Sequence, residues 1–234
     1  MKQGLVLDKV VLLGRTLDEY ARYFALDLEA LRGRRILDVA AGVSSFCAEA
    51  NAQGLDVTAF DLIYDWSHDN IAARCGPDLD LVLGAIDGLK TYKWDFYESP
   101  ARLRTLRERA YRTFLADFAR HGGTRYMGGR LPRLPIPDRS FDLTLVSYLL
   151  FAYEDNLDYE FHKASLLELV RVTRGEARLY PIVTFEAKRC VYIDRLKADL
   201  ALSHLNFEEV QTNFEFLIGS NWFLRITRRD NSGS

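Results

Sequence analysis

Residues 35–46 decide the fold, and they read Arg-Ile-Leu-Asp-Val-Ala-Ala-Gly-Val-Ser-Ser-Phe. The first five are mostly apolar and partly β-branched, which predicts a short buried strand, Arg35 to Val39, with Asp38 near its carboxyl end. A sharp turn into a helix near Ser45 requires small side chains, which also let a ligand lie against the backbone. The small residues are Ala40, Ala41, Gly42, Ser44 and Ser45. Free N–H groups at the helix start point toward this turn, so the stretch predicts a ligand site at the carboxyl edge of a parallel sheet.

The composition of this turn indicates which ligand it holds. A dinucleotide site has the glycine pattern G-x-G-x-x-G, whereas this turn has one glycine, Gly42, and an acid before it. A carboxylate repels phosphate and suits a cationic amino group. An acid followed by small residues at alternating positions resembles the first motif of the class I S-adenosylmethionine-dependent methyltransferases. The matching residues are Asp38, Ala40, Gly42 and Ser44, with Ala40 and Ser44 in place of the usual first and third glycines. The resemblance implies that S-adenosylmethionine is the cofactor, bound by these four residues together with Ala41 and Ser45.

A second acid ends the next predicted strand, residues 55–61. Asp61 lies about twenty residues beyond the glycine turn, where Rossmann-type sites place the carboxylate that accepts both ribose hydroxyls. A carboxylate suits a diol because it offers two acceptors to two donors. We therefore predict that Asp61 binds the ribose and that Leu62 lies beside the adenine. An alternative role for Asp61, as a helix N-cap after the strand, stays open.

A third match lies between the predicted third and fourth strands. The run Leu134 to Asp142 resembles the family's segment at this place nearly residue for residue. The family often has an acid a few residues upstream that contacts the adenine amine, but this chain has Arg130 there, so backbone groups around Arg130 and Leu131 are expected to serve instead. The fourth strand, 142–148, is apolar on both faces, as a central parallel strand should be. The resemblance places Ser147 and Tyr148, at its carboxyl end, beside the sulfonium and the acceptor.

The resemblance covers about residues 35–62 and 125–228 and implies an α/β fold. We expect a Rossmann-like, seven-stranded, mostly parallel sheet with helices on both faces and a C-terminal antiparallel hairpin. The remaining elements are predicted as strands at 125–127, 177–183, 210–216 and 221–227, and helices at 46–52, 162–172 and 194–205. The predicted domains are an N-terminal helical cap (1–34), a methyltransferase domain (35–228) with a helical insertion at about 67–124, and a disordered tail (229–234).

The N-terminal cap contains a predicted helix with an aromatic face. Thr16 and Glu19 have the spacing of a capping box at its start. The resemblance implies that Tyr20 or Tyr23 closes over the cofactor, and the alternative is that both rings pack on the sheet.

The insertion, residues 67–124, is longer than a crossover connection requires and has no match in the family. We predict a helix from His68 to Arg74, closed by Gly76 and Pro77, and a second helix from Ser99 to Arg120. The second helix has a basic face, formed by Arg102, Arg104, Arg107, Arg109 and Arg112. Two interpretations stay open: the insertion is a lid over the acceptor pocket, or it is a solvated basic helix with a packed aromatic patch.

The chemistry implied by the resemblance needs little from the protein. Methyl transfer from a sulfonium is an in-line displacement with an activated leaving group, so the protein mainly aligns the acceptor and excludes water. A base is needed only if the acceptor must lose a proton. The candidate catalytic residues are Tyr148, Tyr153 and His162, with Asp155 in the acidic loop before His162. For His162, which begins a predicted helix, the alternative is a satisfied or exposed histidine without a catalytic role. We expect a small-molecule acceptor, with negative charge favoured by the arginines of the insertion.

Composition excludes several other classes of function. The net charge of −2 gives no general drive toward nucleic acid or anionic membrane. No apolar run approaches the roughly 20 residues that a membrane span needs. Cys47, Cys75 and Cys190 lack metal-ligand spacing, which predicts no metal site and three buried thiols in a reducing compartment. We therefore expect a soluble cytoplasmic protein.

Two alternative functions stay open. One is a protein that binds S-adenosylmethionine without transferring its methyl group, and the other is an RNA-directed methyltransferase that uses the arginine-rich helix. A nicotinamide dehydrogenase is disfavoured by the missing glycines and by Asp38.

Overall fold

Seven strands form one sheet in the order β3-β2-β1-β4-β5-β7-β6 in the computed structural model, which describes residues 11–229. The strands are β1 (Arg35–Val39), β2 (Asp56–Asp61), β3 (Tyr126–Gly128), β4 (Phe141–Ser147), β5 (Thr173–Tyr180), β6 (Leu205–Gln211) and β7 (Trp222–Arg228). Strands β1 to β5 are parallel to one another, and β7 is antiparallel to both β5 and β6. The predicted mostly parallel sheet with a C-terminal antiparallel hairpin is thus confirmed.

Helices cover both faces of this sheet. They are α1 (Leu17–Tyr23), α2 (Phe46–Ala52), α3 (His68–Ile86), α4 (Pro100–His121), α5 (Tyr159–Val172) and α6 (Tyr192–Ala198), with short 3₁₀ turns at Leu62–Asp65 and Leu200–Leu202. Because successive side chains of a strand point to opposite faces, Ile36 of β1 joins a core with α1 to α4, while Leu37 and Val39 join a second core with α5 and α6. The helices on both faces are therefore explained by a central strand that is apolar on both sides.

The register of the strands brings the two predicted acids to one edge. Asp38 of β1 is paired with Ala59 of β2, and Asp61 lies two residues further along β2. On the other side of β1, Val39 is paired with Val146, so that Ser147 lies level with Ala40. At about 3.3 Å per residue, the offset between Asp38 and Asp61 along the strands is about 7 Å. The carboxyl ends of β1, β2 and β4 therefore form one continuous edge.

The first helix of the insertion is longer than predicted. We expected it to end at Gly76 and Pro77, but α3 continues through both residues to Ile86. Its buried side chains recur at helical spacing on both sides of the proline, and they are Ile71, Cys75, Asp78, Leu79, Val82 and Ile86. Because this stripe packs against the rest of the core, burial outweighs the cost of a proline in the helix interior. The second predicted helix is confirmed as α4, with Ser99 as its N-cap and Pro100 at its first position.

The elements between α5 and β7 begin earlier than predicted. Strand β5 starts at Thr173, directly after α5, rather than at residue 177. Gly175 allows this, since a Cβ at this position would overlap the carbonyl oxygen of Asp142 on β4. The predicted helix 194–205 is shorter, and strand β6 occupies Leu205–Gln211 instead of 210–216. The apolar residues that suggested the later strand, Phe214 and Phe216, are buried against Tyr97 in a loop.

The N-terminal cap packs directly on the domain. Thr16 caps α1, and the capping box with Glu19 is present on both sides. The three cysteines are buried and free. Residues 1–10 of the predicted cap and 230–234 of the predicted tail lie outside the described residues, whereas Arg229 donates from its backbone to the carbonyl of His204. Within residues 11–229 no helix is long and apolar enough to cross a membrane, and no group of acidic, histidine and cysteine side chains has the arrangement of a metal site.

Candidate active site

A cavity of about 360 Å³ opens at the carboxyl edge formed by β1, β2 and β4. Ten of the predicted site residues line it: Ala40, Ala41, Gly42, Asp61, Leu62, Arg130, Leu131, Ser147, Tyr148 and Tyr153. Asp38, Ser44, Ser45 and His162 are not among the lining residues. The sequence therefore predicts the position of the cavity and ten of its 23 lining residues, and the four predicted residues that do not line it have local explanations.

The glycine turn is held open by backbone conformation. Ala40 and Gly42 both have φ of +57°, in the left-handed region that favours glycine. The space around Gly42 is empty, since a Cβ built there has no neighbour within 4 Å. Glycine at position 42 avoids the backbone strain of this conformation, which Ala40 adopts at some cost.

Asp61 supports the turn and faces the cavity. Its Oδ2 accepts a hydrogen bond of 2.8 Å from the Gly42 amide, and its Oδ1 accepts one of 3.0 Å from the Ile63 amide. The N-cap interpretation is therefore correct, because Ile63 lies in the short 3₁₀ turn that follows β2. Burial raises the pKa of Asp61, while these backbone bonds oppose the rise. A carboxylate has about four lone-pair sites, so both oxygens can still accept from a ligand.

Asp38 lies below the cavity rather than in its wall. The side chain is fully buried, and Oδ1 accepts a hydrogen bond of 3.1 Å from the Tyr20 hydroxyl. Oδ2 has no partner among residues 11–229. Burial raises the pKa of Asp38 well above its ordinary value, and the charge of Asp61 adds to the rise. Asp38 is therefore not placed in the cavity wall, where the expected contact with an ammonium group would require it.

The two tyrosines of α1 follow the packing alternative. Both are almost fully buried, and neither lines the cavity. The Tyr20 ring stacks on Phe46 with centroids 4.3 Å apart, and the Tyr23 ring stacks on Tyr180 at 4.4 Å. Tyr20 thus connects the cap to β1 through its bond with Asp38.

Ser44 and Ser45 bind another part of the chain instead of the cavity. The backbone amide of Arg15 donates to the Ser44 hydroxyl at 3.2 Å, and the Ser45 amide donates to the Arg15 carbonyl at 2.8 Å. An N-terminal segment therefore occupies donors that we expected to face a ligand. The same segment lines the cavity with Val11, Leu12, Leu13 and Arg15. Sequence reasoning missed Arg15, because no motif or periodicity connects residue 15 with residues 44 and 45.

The wall beside β4 is aromatic. Tyr148 has φ of +53°, and its backbone amide donates to the Tyr180 carbonyl at 2.7 Å. Burial raises the pKa of both Tyr148 and Tyr153, so both phenols are neutral hydrogen-bond donors near pH 7. Phe185, from the loop after β5, meets the Tyr153 ring edge-on with centroids 5.1 Å apart. This part of the wall can hold a flat or apolar group and donate to its polar atoms.

His162 is a structural residue, which corrects its prediction as a catalytic one. The ring is fully buried, its Nδ1 lies 2.7 Å from the Asp158 carbonyl and its Nε2 lies 3.0 Å from the Leu150 carbonyl. Both ring nitrogens are therefore engaged by backbone, and the side chain joins α5 to the loop after β4. Asp155, in that loop, is exposed and does not line the cavity.

The insertion contributes to the cavity through α3 alone. Arg74 and Val82 line it, together with Trp66 just before the helix, whereas no α4 residue does. Most of the α4 arginines are paired with acids at 2.6–3.6 Å: Arg102 with Glu98, Arg104 with Asp80, Arg107 with Glu19 and Arg112 with Glu108. Arg107 is buried rather than part of a basic surface. These pairs neutralise much of the face on which the RNA alternative depends.

Comparison with known proteins shows the family to which the chain belongs. No family model matches the chain. The uncharacterized protein MJ0045 of Methanocaldococcus jannaschii is 34% identical over 226 residues, which cover 96% of this chain and 99% of MJ0045. The chain belongs to the MJ0045 family. The sheet order of this MJ0045-family protein, with β7 antiparallel to its neighbours, is that of the Rossmann-like fold predicted from the sequence.

Solved structures resemble the MJ0045-family chain at low sequence identity. Magnesium protoporphyrin IX methyltransferase from Synechocystis PCC 6803, with bound S-adenosylmethionine, has 13% identity and a TM-score of 0.49, over 91% of this chain and 78% of that one. A putative S-adenosylmethionine-dependent methyltransferase from Methanococcus maripaludis has 10% identity and a TM-score of 0.43, over 93% of this chain and 84% of that one.

Proposed function

We propose that this protein is an S-adenosylmethionine-dependent methyltransferase that acts on a small-molecule acceptor. The observation that carries the proposal is the cavity between the glycine turn and Asp61, at the carboxyl edge of neighbouring parallel strands. In open α/β sheets, ligands bind in the crevice at this edge. Because the turn lacks the glycines of a dinucleotide site, a nucleoside with an amino-acid tail fits better than a pyrophosphate.

The residues present fit such a cofactor. Asp61 has acceptor capacity left for two ribose hydroxyls, and the open space at Gly42 lets a ligand approach the backbone. Leu62, with the backbone near Arg130 and Leu131, would border the adenine, and Ala40 and Ala41 the amino-acid part. When bound, the cofactor supplies an activated methyl group on a sulfonium.

The chain's own part in the reaction would be alignment and exclusion of water. Ser147 and Tyr148 lie at the end of β4, level with the glycine turn, and Tyr153 and Phe185 extend the wall beyond them. Since the pKa values of Tyr148 and Tyr153 are raised, both tyrosines would orient an acceptor by donating hydrogen bonds rather than by removing its proton. Arg15 and Arg130 line the cavity with one carboxylate, Asp61, while Arg74 is paired with Asp78 at 2.6 Å, and this balance favours an acceptor with negative charge.

Calorimetric titration with S-adenosylhomocysteine tests the proposal. We expect the wild-type chain to bind, and Asp61→Asn to weaken binding by about tenfold or more, because a charge-assisted pair of hydrogen bonds is lost. Asp56→Asn is the matched control, since Asp56 is exposed at the opposite end of the same strand. Absence of binding by the wild type at about millimolar ligand, or equal losses in the two variants, would contradict the assignment.

Transfer is tested separately from binding. The wild-type chain is incubated with S-adenosylmethionine and pools of small anionic acceptors, and release of S-adenosylhomocysteine is measured. We expect acceptor-dependent release, reduced in Tyr153→Phe because a donor to the acceptor is removed. Binding without release from any pool would favour the alternative of a cofactor-binding protein.

A further inference from the structure

Arg15 is held at the edge of the cavity by its backbone. Its amide donates to the Ser44 hydroxyl at 3.2 Å, and its carbonyl accepts from the Ser45 amide at 2.8 Å and from the Ser45 hydroxyl at 3.3 Å. The preceding residue lies directly on the turn, since a Cβ at Gly14 would be 2.5 Å from the Val43 carbonyl oxygen. The point from which the Arg15 side chain leaves the backbone is therefore fixed relative to the glycine turn.

The guanidinium of Arg15 is a cation without a carboxylate partner. It lies over the Tyr148 ring, 4.1 Å from the centroid, and Nη1 donates to the Leu13 carbonyl at 2.9 Å. Within residues 11–229 no carboxylate oxygen lies within 4.0 Å of a guanidinium nitrogen of Arg15, the distance that defines an ion pair. The Arg15 Nε is buried without an acceptor. A guanidinium has five N–H donors, so most of its capacity is unused. The cavity thus has a fixed positive charge in its wall.

Asp61 and Arg15 give the cavity two sides of opposite charge. Asp61 ends β2, and Tyr148, under the guanidinium, follows β4 on the other side of β1. With strands about 4.8 Å apart, the two sides are separated by about 10 Å. A matching ligand carries a diol at one end and an anion at the other.

We propose that Arg15 binds the carboxylate in the amino-acid part of S-adenosylmethionine, an inference that rests on the proposed function. Three features point to this group. The Arg15 backbone is bonded to the glycine turn, which borders the amino-acid part in the proposed pose. The planar guanidinium can pair with a carboxylate through two parallel hydrogen bonds. Asp38, the acid expected to bind this end of the cofactor, is buried and does not line the cavity, whereas Arg15 does.

A cycle of one residue and one ligand group tests the inference. Wild type and Arg15→Gln are titrated with S-adenosylhomocysteine and with its decarboxylated analogue, which lacks only the carboxylate. We expect wild type to prefer the complete ligand by about tenfold or more, and Arg15→Gln to lose this preference while binding the analogue about as well as wild type does. Arg22→Gln is the control, since Arg22 is an exposed arginine on α1 that is paired with Asp18.

The outcomes separate this inference from the proposed function. If wild type binds neither ligand, the proposed function fails and this inference with it. If wild type binds both ligands equally, or if Arg15→Gln weakens both by the same factor, the cofactor assignment stands and Arg15 is not its carboxylate partner. Because the wild-type preference is measured without any substitution, the test holds even if Arg15→Gln does not fold, and Arg15→Lys then supplies a cation without the bidentate geometry.

Discussion

Asp38 and Asp61 are identical side chains at neighbouring strand ends, and their hydrogen-bond partners give them different roles. Asp61 accepts from two backbone amides and lines the cavity. Asp38 accepts from the Tyr20 hydroxyl and is fully buried. The spacing of the chain predicts the strand ends of both acids. It does not reveal which acid is covered, because the covering residue, Tyr20, comes from a helix outside the motif.

Replacing Asp38 with asparagine is expected to stabilise the protein at high pH. The folded state binds the Asp38 proton more tightly than the unfolded chain does, so the wild type loses stability as pH rises from the ordinary pKa of 3.8 through the raised folded value. The Asp38→Asn variant has no such loss. We expect a gain of about 1–3 kcal/mol in the free energy of unfolding at pH 8 that vanishes below pH 3.8.

Urea titrations at a series of pH values measure this difference. Tyr20→Phe is the opposite control, since it removes the one donor to Asp38 and should reduce the free energy of unfolding by about 1–3 kcal/mol at pH 8. A loss of stability in Asp38→Asn at pH 8 would show that the buried carboxylate is satisfied.

At the scale of elements, α1 and α4 are joined by a buried ion pair. Arg107 Nη1 lies 2.6 Å from Glu19 Oε1, and the Tyr23 and Tyr97 hydroxyls also bind this carboxylate. Burial alone would raise the pKa of Glu19, but the charge of Arg107 and hydrogen bonds from Tyr97, the Thr16 amide and Arg107 lower it below its ordinary 4.5. The contribution of this group to stability is therefore complete above pH 4.5 and is lost as pH falls through the folded pKa.

Arg107→Met is expected to reduce the free energy of unfolding by about 3–5 kcal/mol at pH 7, because it leaves a buried carboxylate unpaired. The double variant Glu19→Gln/Arg107→Met should regain part of this loss, and its unfolding at low pH should no longer depend on Glu19. Chemical denaturation of the two single variants and the double variant measures the coupling. Additive effects would contradict the ion pair.

Pro77 is a second element-scale case. It lies exposed in the middle of α3, where it removes one backbone hydrogen bond. Pro77→Ala should raise the free energy of unfolding by about 1–3 kcal/mol. Part of this gain is offset because alanine gives the unfolded chain more conformational entropy than proline does. A thermal melt compares it with Gly84→Ala in the same helix, for which about 1 kcal/mol is expected. A destabilised Pro77→Ala would mean that α3 needs a bend at this residue.

For the molecule as a whole, the predicted cap, insertion and sheet share one core. A single buried cluster contains Tyr20 of α1, Ile36 of β1, Ile71 of α3, Phe114 of α4 and Phe223 of β7. We therefore expect one cooperative thermal transition, in which the calorimetric and van 't Hoff enthalpies agree. A separate, earlier transition that responds to Arg107→Met alone would indicate that cap and insertion unfold as their own unit.

The sheet was predictable because its strands are marked locally, by apolar runs that end in acids or small residues. The mostly parallel sheet with its C-terminal antiparallel hairpin followed from the resemblance, and the sharp turn followed from the small residues around Gly42. The errors arose where distant packing decides. Burial of its apolar stripe lets α3 continue beyond Pro77, and the close approach of the β4 backbone requires Gly175 in β5. Packing against Tyr97 places Phe216 in a loop instead of a strand. Arg15 was unpredictable for the same reason, since its partners are about thirty positions away.

The hydrogen bond from the Gly42 amide to Asp61 restricts how this site can change over generations. The Asp61 carboxylate both stabilises the turn and lines the cavity. A residue that replaces it must therefore also accept hydrogen bonds from the Gly42 and Ile63 amides. A basic side chain, which would welcome a phosphorylated sugar, offers no acceptor at all. Substitution of Asp61 is therefore restricted by the fold of the glycine turn as well as by any ligand that occupies the cavity.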